Sequence, residues 1–279
     1  MKFCNALHGN RIAYTFKPSE VSENLRALTP LVLLHGFCED HSVWTPVKSL
    51  LNPQSLLLID LPGFGSSELP TQSDMSEYAE AVKAVLDAEH IDRCVLVGHS
   101  MGGYAALEFA SCWPERLAGL GLFHSHPFED SEERKTARRR GIETLQAGKR
   151  DLYVAQLFPN LFTTNFIEKN PTTLNELISN GKKQSSEGIA AALQAMLNRR
   201  DHQHTLSETK CPVLFLLGAH DTLVPPEQGL KAALLPVVAD LQLLPGAAHM
   251  AMYECAKESA EILNSFWDFC QSKIVNRKS

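Results

Sequence analysis

The sequence predicts an α/β fold in which helices cover both faces of a mostly parallel central sheet and a helical cap is inserted into it. The first observation is a series of short, continuously apolar runs separated by segments of helical length, a pattern typical of strands buried on both faces. The second is a charged segment at 124–210, which interrupts that series. The third is a serine between two glycines at the end of one apolar run.

The strands follow in order along the chain. Two stretches of alternating character, at 2–6 and 11–16, flank a Gly-Asn pair that favours a tight turn, and they predict an opening β-hairpin. The parallel strands are then expected at 31–35, 56–60, 95–98, 117–123, 213–218 and 241–244.

Helices are expected between these strands. Apolar residues recur on one helical face from Met75 to Leu86, with Ser73 as the candidate N-cap, and a second amphipathic helix is expected at 256–269. No strand pattern occurs in 124–210, and a structureless loop of that length is uncommon inside a domain. We therefore divide the chain into a core domain of 1–123 and 211–279 and a helical cap of 124–210.

Composition excludes several classes of protein. The 279 residues include 26 basic and 32 acidic side chains, a net charge of -6, which offers no general attraction for nucleic acid. The one basic run, Arg138 to Arg140, is interpreted as a solvated helix face. The 44% hydrophobic content is typical of a globular chain. We expect a small-molecule substrate and no nucleic-acid partner, and the sequence does not predict an oligomeric state.

The cellular location and the cofactors are predicted from what the sequence lacks. No apolar run reaches the length of about 18 residues that a membrane span needs, and the first residues do not resemble a signal peptide. The 7 cysteines are scattered and form no Cys-x-x-Cys pair, which argues against a disulfide framework and a zinc site. We therefore expect a cytoplasmic protein with no cofactor and no metal.

The sharpest motif is Gly98-His99-Ser100-Met101-Gly102, which follows an apolar run and precedes a helix-like segment. A serine on a tight turn from strand to helix is strained, and side chains two residues before and after it would collide with the turn. Glycines at 98 and 102 remove those collisions. The motif therefore predicts that Ser100 is a nucleophile.

Two further motifs accompany this turn. His35-Gly36-Phe37 follows one apolar run, and Asp60 begins an Asp-x-x-Gly-x-Gly-x-Ser turn after the next. With these motifs, nearly the whole chain resembles the α/β-hydrolase fold family, specifically its capped, esterase-like serine hydrolases. The resemblance implies that the backbone N–H groups of Phe37 and Met101 form the oxyanion hole.

A serine nucleophile needs a histidine base and a group that orients the histidine. Asp221 follows one predicted strand and His249 follows the last, and the order Ser100, Asp221, His249 is that of the resembled family. Of the alternatives, His220 is expected to shape the acid loop. Asp240 is expected to precede its strand as a loop cap, and Asp60 is expected to form a turn.

These residues predict a carboxylesterase-like serine hydrolase that cleaves esters of small or medium apolar molecules through an acyl-enzyme. Ser100 argues against the family's dehalogenases and epoxide hydrolases, which use an aspartate nucleophile. Carbon–carbon bond hydrolases or related lyases are one alternative; many resemble Gly-Asn-Ser-Met-Gly, where this chain has His99. The cap arginines Arg138 and Arg139 are candidates for binding an acidic substrate. A non-enzymatic binder or receptor is the second alternative.

Several other residues are candidates for the wall of a substrate pocket or for packing, and the sequence does not decide between the two. They are Cys38, Trp44, His124, His126, Phe128, Phe158, Phe162 and Phe166.

Overall fold

Eight strands form one sheet in the computed structural model, which describes residues 1–18, 29–52 and 55–275. In chain order the strands are β1 (Lys2–Asn5), β2 (Arg11–Lys17), β3 (Leu31–Leu34), β4 (Leu56–Ile59), β5 (Cys94–His99), β6 (Leu117–Phe123), β7 (Val213–Gly218) and β8 (Ala239–Leu244). The order across the sheet is β1-β2-β4-β3-β5-β6-β7-β8. Strands β1 and β2 are antiparallel to their neighbours, and β3 to β8 are parallel, so the predicted mostly parallel sheet is confirmed.

The expected position of Asp240 before its strand is wrong. Strand β8 begins at Ala239, so Asp240 lies inside it, and its Oδ1 accepts a hydrogen bond of 2.6 Å from Gln242 Nε2. The reason is that β8 is an edge strand with alternate residues exposed, whereas β3 to β7 are buried throughout. An edge strand tolerates polar residues, so a search for continuous apolar runs misses its first part.

Helices lie on both faces of the sheet. Helix α2 packs beside α3, and α12 packs beside α1 and α11. The α-helices are α1 (Thr45–Lys48), α2 (Met75–Ala88), α3 (Met101–Cys112), α4 (Glu132–Gln146), α5 (Arg150–Leu157), α6 (Thr164–Lys169), α7 (Pro171–Gly181), α8 (Ser186–Asn198), α9 (Gln203–Glu208), α10 (Pro226–Ala232), α11 (Ala251–Glu254) and α12 (Ala256–Val275).

The N-cap of α2 differs from the expectation. Asp74, and not Ser73, has the extended backbone of a cap, and its carboxylate accepts a hydrogen bond of 2.9 Å from Ser76 N–H. Asp and Ser are equally good caps, so a sequence with both in a row leaves the first turn undecided. None of the helices in the described ranges has the length and apolar character needed to cross a membrane.

Helices α4 to α9 are all inserted between β6 and β7, where the sequence predicts a helical cap. This insertion contacts the core at the loops that follow the parallel strands. Gly188 of α8 lies so close to Gly63 that a Cβ on Gly188 would be 2.1 Å from the Gly63 carbonyl oxygen. His249 N–H donates to Leu161 O at 2.9 Å. The boundaries of the cap at 124 and 210 stay a prediction.

Candidate active site

Five neighbouring strands of the sheet end at the candidate site. Strands β3, β5, β6, β7 and β8 are adjacent and parallel, so their carboxyl ends lie at one edge of the sheet. Ligands and catalytic groups of open α/β sheets are found at this edge. Ser100 and His124 directly follow their strands, and Phe37, Asp221 and His249 lie in the loops after theirs.

Ser100 occupies the strained turn between β5 and α3. Its backbone has φ 51 and ψ -113, an unusual conformation that costs about 1–3 kcal/mol and is found mostly at functional sites. A Cβ on Gly98 would lie 2.1 Å from Gly102 O, and one on Gly102 would lie 2.5 Å from His35 O. Both glycines are therefore required, as the motif predicts. The role of Ser100 as nucleophile stays a prediction.

Asp221 and His249 are in direct contact. His249 Nδ1 lies 2.7 Å from Asp221 Oδ2, while the other carboxylate oxygen accepts hydrogen bonds of 2.9 Å from the N–H groups of Leu223 and Val224. Burial alone would raise the pKa of Asp221, but the charge of His249 and the hydrogen bonds from two imidazoles lower it far below the usual range. The carboxylate is therefore ionised and holds a proton on His249 Nδ1, which leaves Nε2 as the nitrogen for a base.

A second histidine binds the same carboxylate. His124 follows β6 directly, and its Nδ1 lies 3.1 Å from Asp221 Oδ2. The side chain is completely buried, and burial is the main cause that lowers its pKa to about 4. His124 is therefore neutral and donates from Nδ1. The sequence leaves His124 undecided between pocket wall and packing, and its position directly after a parallel strand is the signal that could have found it.

The rival candidates lie elsewhere. The side chain of His220 is exposed, and its backbone N–H donates to Ala247 O at 2.9 Å, which ties the acid loop to the loop that bears His249. Asp60 Oδ2 accepts a hydrogen bond of 3.0 Å from Ser66 N–H, as expected of a turn-forming residue. Its Oδ1 lies 2.7 Å from His41 Nδ1.

The predicted oxyanion donors lie on two sides of the nucleophile. Met101 is the first residue of α3, where the helix dipole adds a partial positive charge. Phe37 lies in the loop after β3, next to Cys38, which has φ 61 and is buried. Within the described ranges, no acceptor is found for the N–H of Phe37 or Met101. Their assignment to an oxyanion hole stays a prediction.

The basic run of the insertion is divided between solvent and interior. Arg139 and Arg140 are exposed, as the solvated-face interpretation predicts. Arg138 turns inward and forms an ion pair with the buried Asp130, which also contacts Arg199 Nη1 at 2.7 Å. Arg138, Arg199 and Asp130, named here the arginine cluster, therefore carry a net charge of about +1, since arginine stays protonated.

A chain of contacts joins the arginine cluster to the nucleophile. The Arg199 guanidinium lies over the Tyr104 ring, with Cζ 4.1 Å from its centroid, and Tyr104 Oη lies 3.5 Å from His126 Nε2. The neighbouring Ser125 donates from Oγ to Ser100 O at 2.9 Å. Burial, followed by the charge of Arg199, lowers the pKa of His126 to about 3, so this imidazole is neutral. His126 Nδ1 is buried and has no hydrogen-bond partner in the described part of the chain.

The remaining pocket candidates are mostly packing residues. Trp44 is fully buried and packs edge-on against Phe123, with ring centroids 5.3 Å apart. Phe158 is buried as well, and Phe162 stacks on Phe166 at 4.9 Å.

Among the residues that the structure describes, two groups of side chains have ligand atoms close enough to share an ion. They are His124, Asp221 and His249, and Asp40, His41 and Asp60. In both groups the close distances are those of the histidine–carboxylate contacts described above, and we assign neither group a metal.

Comparisons with known proteins identify the family of this chain. A sequence model described as the alpha/beta hydrolase family matches residues 31–262. The chain belongs to that family, and its eight-stranded sheet with helices has the α/β-hydrolase fold.

Individual relatives indicate which class of enzyme the chain belongs to. The chain is 30% identical over 263 residues to a 2-hydroxy-6-oxononadienedioate/2-hydroxy-6-oxononatrienedioate hydrolase of Burkholderia vietnamiensis, a match that covers 85% of this chain and 86% of the relative. It is also 30% identical over 251 residues to a 2-hydroxy-6-oxo-6-phenylhexa-2,4-dienoate hydrolase of Burkholderia cepacia, covering 81% and 83%. A thermophilic esterase from Thermogutta terrifontis superimposes with TM-score 0.88 at 25% identity over 97% of this chain and 98% of the esterase. The chain is therefore an enzyme of the hydrolase class and not the non-enzymatic binder of the second alternative.

Proposed function

We propose that this hydrolase uses Ser100 as nucleophile, His249 as base and Asp221 as orienting acid to cleave a small acidic ketone at the carbon–carbon bond beside its carbonyl group. The observation that carries the proposal is the contact of 2.7 Å between His249 Nδ1 and Asp221 Oδ2, at the sheet edge where Ser100 lies on its strained turn. A serine hydroxyl becomes an effective nucleophile when such an imidazole takes its proton.

The two Burkholderia relatives support a carbon–carbon bond as the target. The names of their substrates describe hydroxy-oxo dienoates, which contain carboxylate and ketone groups but no ester or amide. Hydrolysis can divide such a molecule only between two carbons, and its conjugated chain accepts the electron pair of the broken bond. These relatives favour the carbon–carbon alternative over the ester hydrolysis that the motifs alone predict.

The proposed steps use only the residues already described. Ser100 Oγ attacks the ketone carbon while His249 Nε2 takes the hydroxyl proton. The N–H groups of Phe37 and Met101 donate to the oxyanion, and each donor supplies about 3 kcal/mol. When the carbonyl re-forms, the carbon–carbon bond breaks and His249 returns its proton to the leaving carbon. A water molecule, deprotonated by His249, then hydrolyses the acyl-enzyme and releases Ser100.

The arginine cluster supports an acidic substrate. A buried net positive charge is unfavourable until an anion neutralises it, and the contacts through Tyr104 and His126 extend from this charge toward Ser100. When the carboxylate of a substrate binds the arginine cluster, the ketone end of the same molecule points toward Ser100. Of the two candidate arginines, only Arg138 points inward.

Ester hydrolysis is the second candidate. Two observations favour it: the residue before the nucleophile is His99 instead of the asparagine of many carbon–carbon bond hydrolases, and the esterase from Thermogutta terrifontis has nearly the same fold over its whole length. The catalytic residues have the same roles in both reactions.

Parallel assays on both substrate classes test the proposal. Wild-type and Ser100→Ala protein are given 2-hydroxy-6-oxo-6-phenylhexa-2,4-dienoate and p-nitrophenyl esters from acetate to decanoate. We expect kcat/KM for the dienoate to exceed that for every ester by at least about tenfold. Ser100→Ala is expected to lose about 10⁴-fold or more in kcat, because no hydroxyl remains to attack.

A serine on the same helix provides the control. Ser111 lies exposed near the end of α3, and Ser111→Ala is expected to retain wild-type rates. Turnover of esters without turnover of the dienoate would replace the proposed reaction with ester hydrolysis. Undiminished turnover in Ser100→Ala would show that Ser100 is not the nucleophile.

A further inference from the structure

A second buried histidine–carboxylate pair lies beside the triad. His99, directly before Ser100, has Nδ1 at 3.1 Å from Glu39 Oε2 and Nε2 at 3.0 Å from His249 O. The side chains of His99 and Glu39 are 1% and 3% exposed, so neither is solvated. Glu39 Oε2 also accepts a hydrogen bond of 2.6 Å from Gly36 N–H.

The acceptors around His99 determine its protonation. A carbonyl oxygen only accepts, so Nε2 must carry a proton, and the carboxylate oxygen of Glu39 accepts a hydrogen bond from Nδ1–H, so Nδ1 carries a proton as well. Burial alone would lower the pKa of His99, but the charge and hydrogen bond of Glu39 outweigh it and raise the pKa. Burial would likewise raise the pKa of Glu39, and His99 lowers it. The pair is therefore an imidazolium and a carboxylate that neutralise each other.

We propose that Glu39 and His99 are positioning residues. They hold the three loops that bear Phe37, Ser100 and His249 in fixed positions relative to one another. This inference rests on the proposed function of Ser100 and His249. Glu39 binds Gly36, which precedes the oxyanion donor Phe37; His99 is joined covalently to Ser100 and binds the backbone of His249.

The sheet alone does not provide this alignment. Strand β5 pairs with β3, but β6 and β7 separate it from β8, which bears the His249 loop. The bond from His99 Nε2 to His249 O is thus a direct link across two intervening strands. His99 and His249 also contact each other through their rings, whose centroids are 5.1 Å apart. Gly36 makes the arrangement possible, because a Cβ there would lie 2.6 Å from His99 Nδ1.

Three variants test the pair: Glu39→Gln, His99→Asn and the double variant. The neutral amide of Gln cannot balance the imidazolium, and Asn is too short to reach both partners of His99. We expect kcat to fall by about 10–100-fold in each single variant, because misplaced reacting groups cost rate, while KM moves by less than about threefold. The double variant is expected to lose no more than the worse single variant, since both changes break one network.

A covalent probe separates this inference from the proposed function. The rate at which a fluorophosphonate labels Ser100 reports nucleophilicity without any substrate, and it is expected to fall in parallel with kcat in all three variants. The exposed pair His204 and Glu208, 3.5 Å apart, provides the control: Glu208→Gln is expected to label and turn over as wild type does. Failure of the wild type to label at Ser100 would overturn the proposed function itself.

Two results would overturn the positioning role alone. One is a folded Glu39→Gln protein whose kcat and labelling rate match those of the wild type, or in which only KM changes. The other comes from the wild-type protein and does not depend on any variant folding. Nitrogen-detected NMR of the imidazoles is expected to show that both ring nitrogens of His99 stay protonated to a pH above the ordinary histidine pKa of about 6.5. A ring with a single proton at or below that pH would contradict the pair.

Discussion

The titratable groups at the ends of the strands differ from those in the inserted helices. At the strand ends, the three histidines His99, His124 and His249, named here the histidine cluster, contact the carboxylates Asp221 and Glu39. In the insertion, the arginine cluster has more guanidinium groups than carboxylates. Histidine gains and loses protons near neutral pH, whereas arginine does not. The first cluster therefore contains the proposed proton acceptor, His249, and the second is suited to holding a substrate anion.

The largest effect is expected from Asp221→Asn in the histidine cluster. The amide cannot hold His249 in the Nδ1–H tautomer, so Nε2 is no longer available as a base. We expect kcat to fall by about 10⁴-fold on acidic and neutral substrates alike, with little change in KM. Steady-state kinetics on the dienoate and on a p-nitrophenyl ester provide the measurement.

Asp240 offers a matched control on the edge strand, where its carboxylate contacts only Gln242 among the described residues. Asp240→Asn is expected to keep wild-type kcat on both substrates. If kcat of Asp221→Asn fell on only one substrate class, the result would contradict a role of Asp221 in proton transfer, because every substrate requires that step.

The second effect is expected from Arg138→Met in the arginine cluster. Asp130 keeps Arg199 as a partner at 2.7 Å, so the change removes one positive charge without leaving an unpaired carboxylate. We expect KM for the dienoate to rise by about 50-fold, the value of one charge-assisted hydrogen bond, with KM for a neutral ester unchanged. Arg139→Met changes the same residue type at an exposed position and is expected to alter neither KM. Equal changes for the acidic and neutral substrates would refute a role in charge recognition.

The two clusters also differ in how far the sequence predicts them. The nucleophile turn and the strands leading to Asp221 and His249 are local patterns of about ten residues, and the residues lie where those patterns place them. The glycines at 98 and 102 have a steric meaning that can be read directly from the motif. The predicted hydrolase class and sheet therefore follow from short segments.

Contacts between distant segments were not predictable in this way. Glu39 and His99 are 60 residues apart and meet only because β3 and β5 are neighbours in the sheet. The arginine cluster depends on α4 turning Arg138 toward α8, near whose end Arg199 lies. A run of three arginines has the same composition whether one or none of them faces inward, so the basic run alone could not reveal the buried charge.

The smallest effect concerns His126, which lies between the two clusters and is 2% exposed. Burial, followed by the charge of Arg199, lowers its pKa to about 3 from the ordinary histidine value of about 6.5. The unfolded chain therefore binds one more proton than the folded chain between those pH values, and folding weakens as the pH falls through 6.5. We expect this to cost the wild type about 2 kcal/mol of unfolding free energy between pH 7 and pH 5.

Substitution by a residue that cannot titrate isolates this effect. The unfolding free energy of both proteins is measured by urea denaturation at pH 7 and at pH 5. The decrease between the two pH values is expected to be about 2 kcal/mol smaller in His126→Phe than in the wild type. Any constant packing effect cancels in the difference, and so do the other titrating groups, which both proteins share. If the unfolding free energies of His126→Phe and the wild type depend on pH in the same way, His126 accepts a proton in the folded enzyme. That result would contradict a buried, neutral His126 and would group it with the histidine cluster.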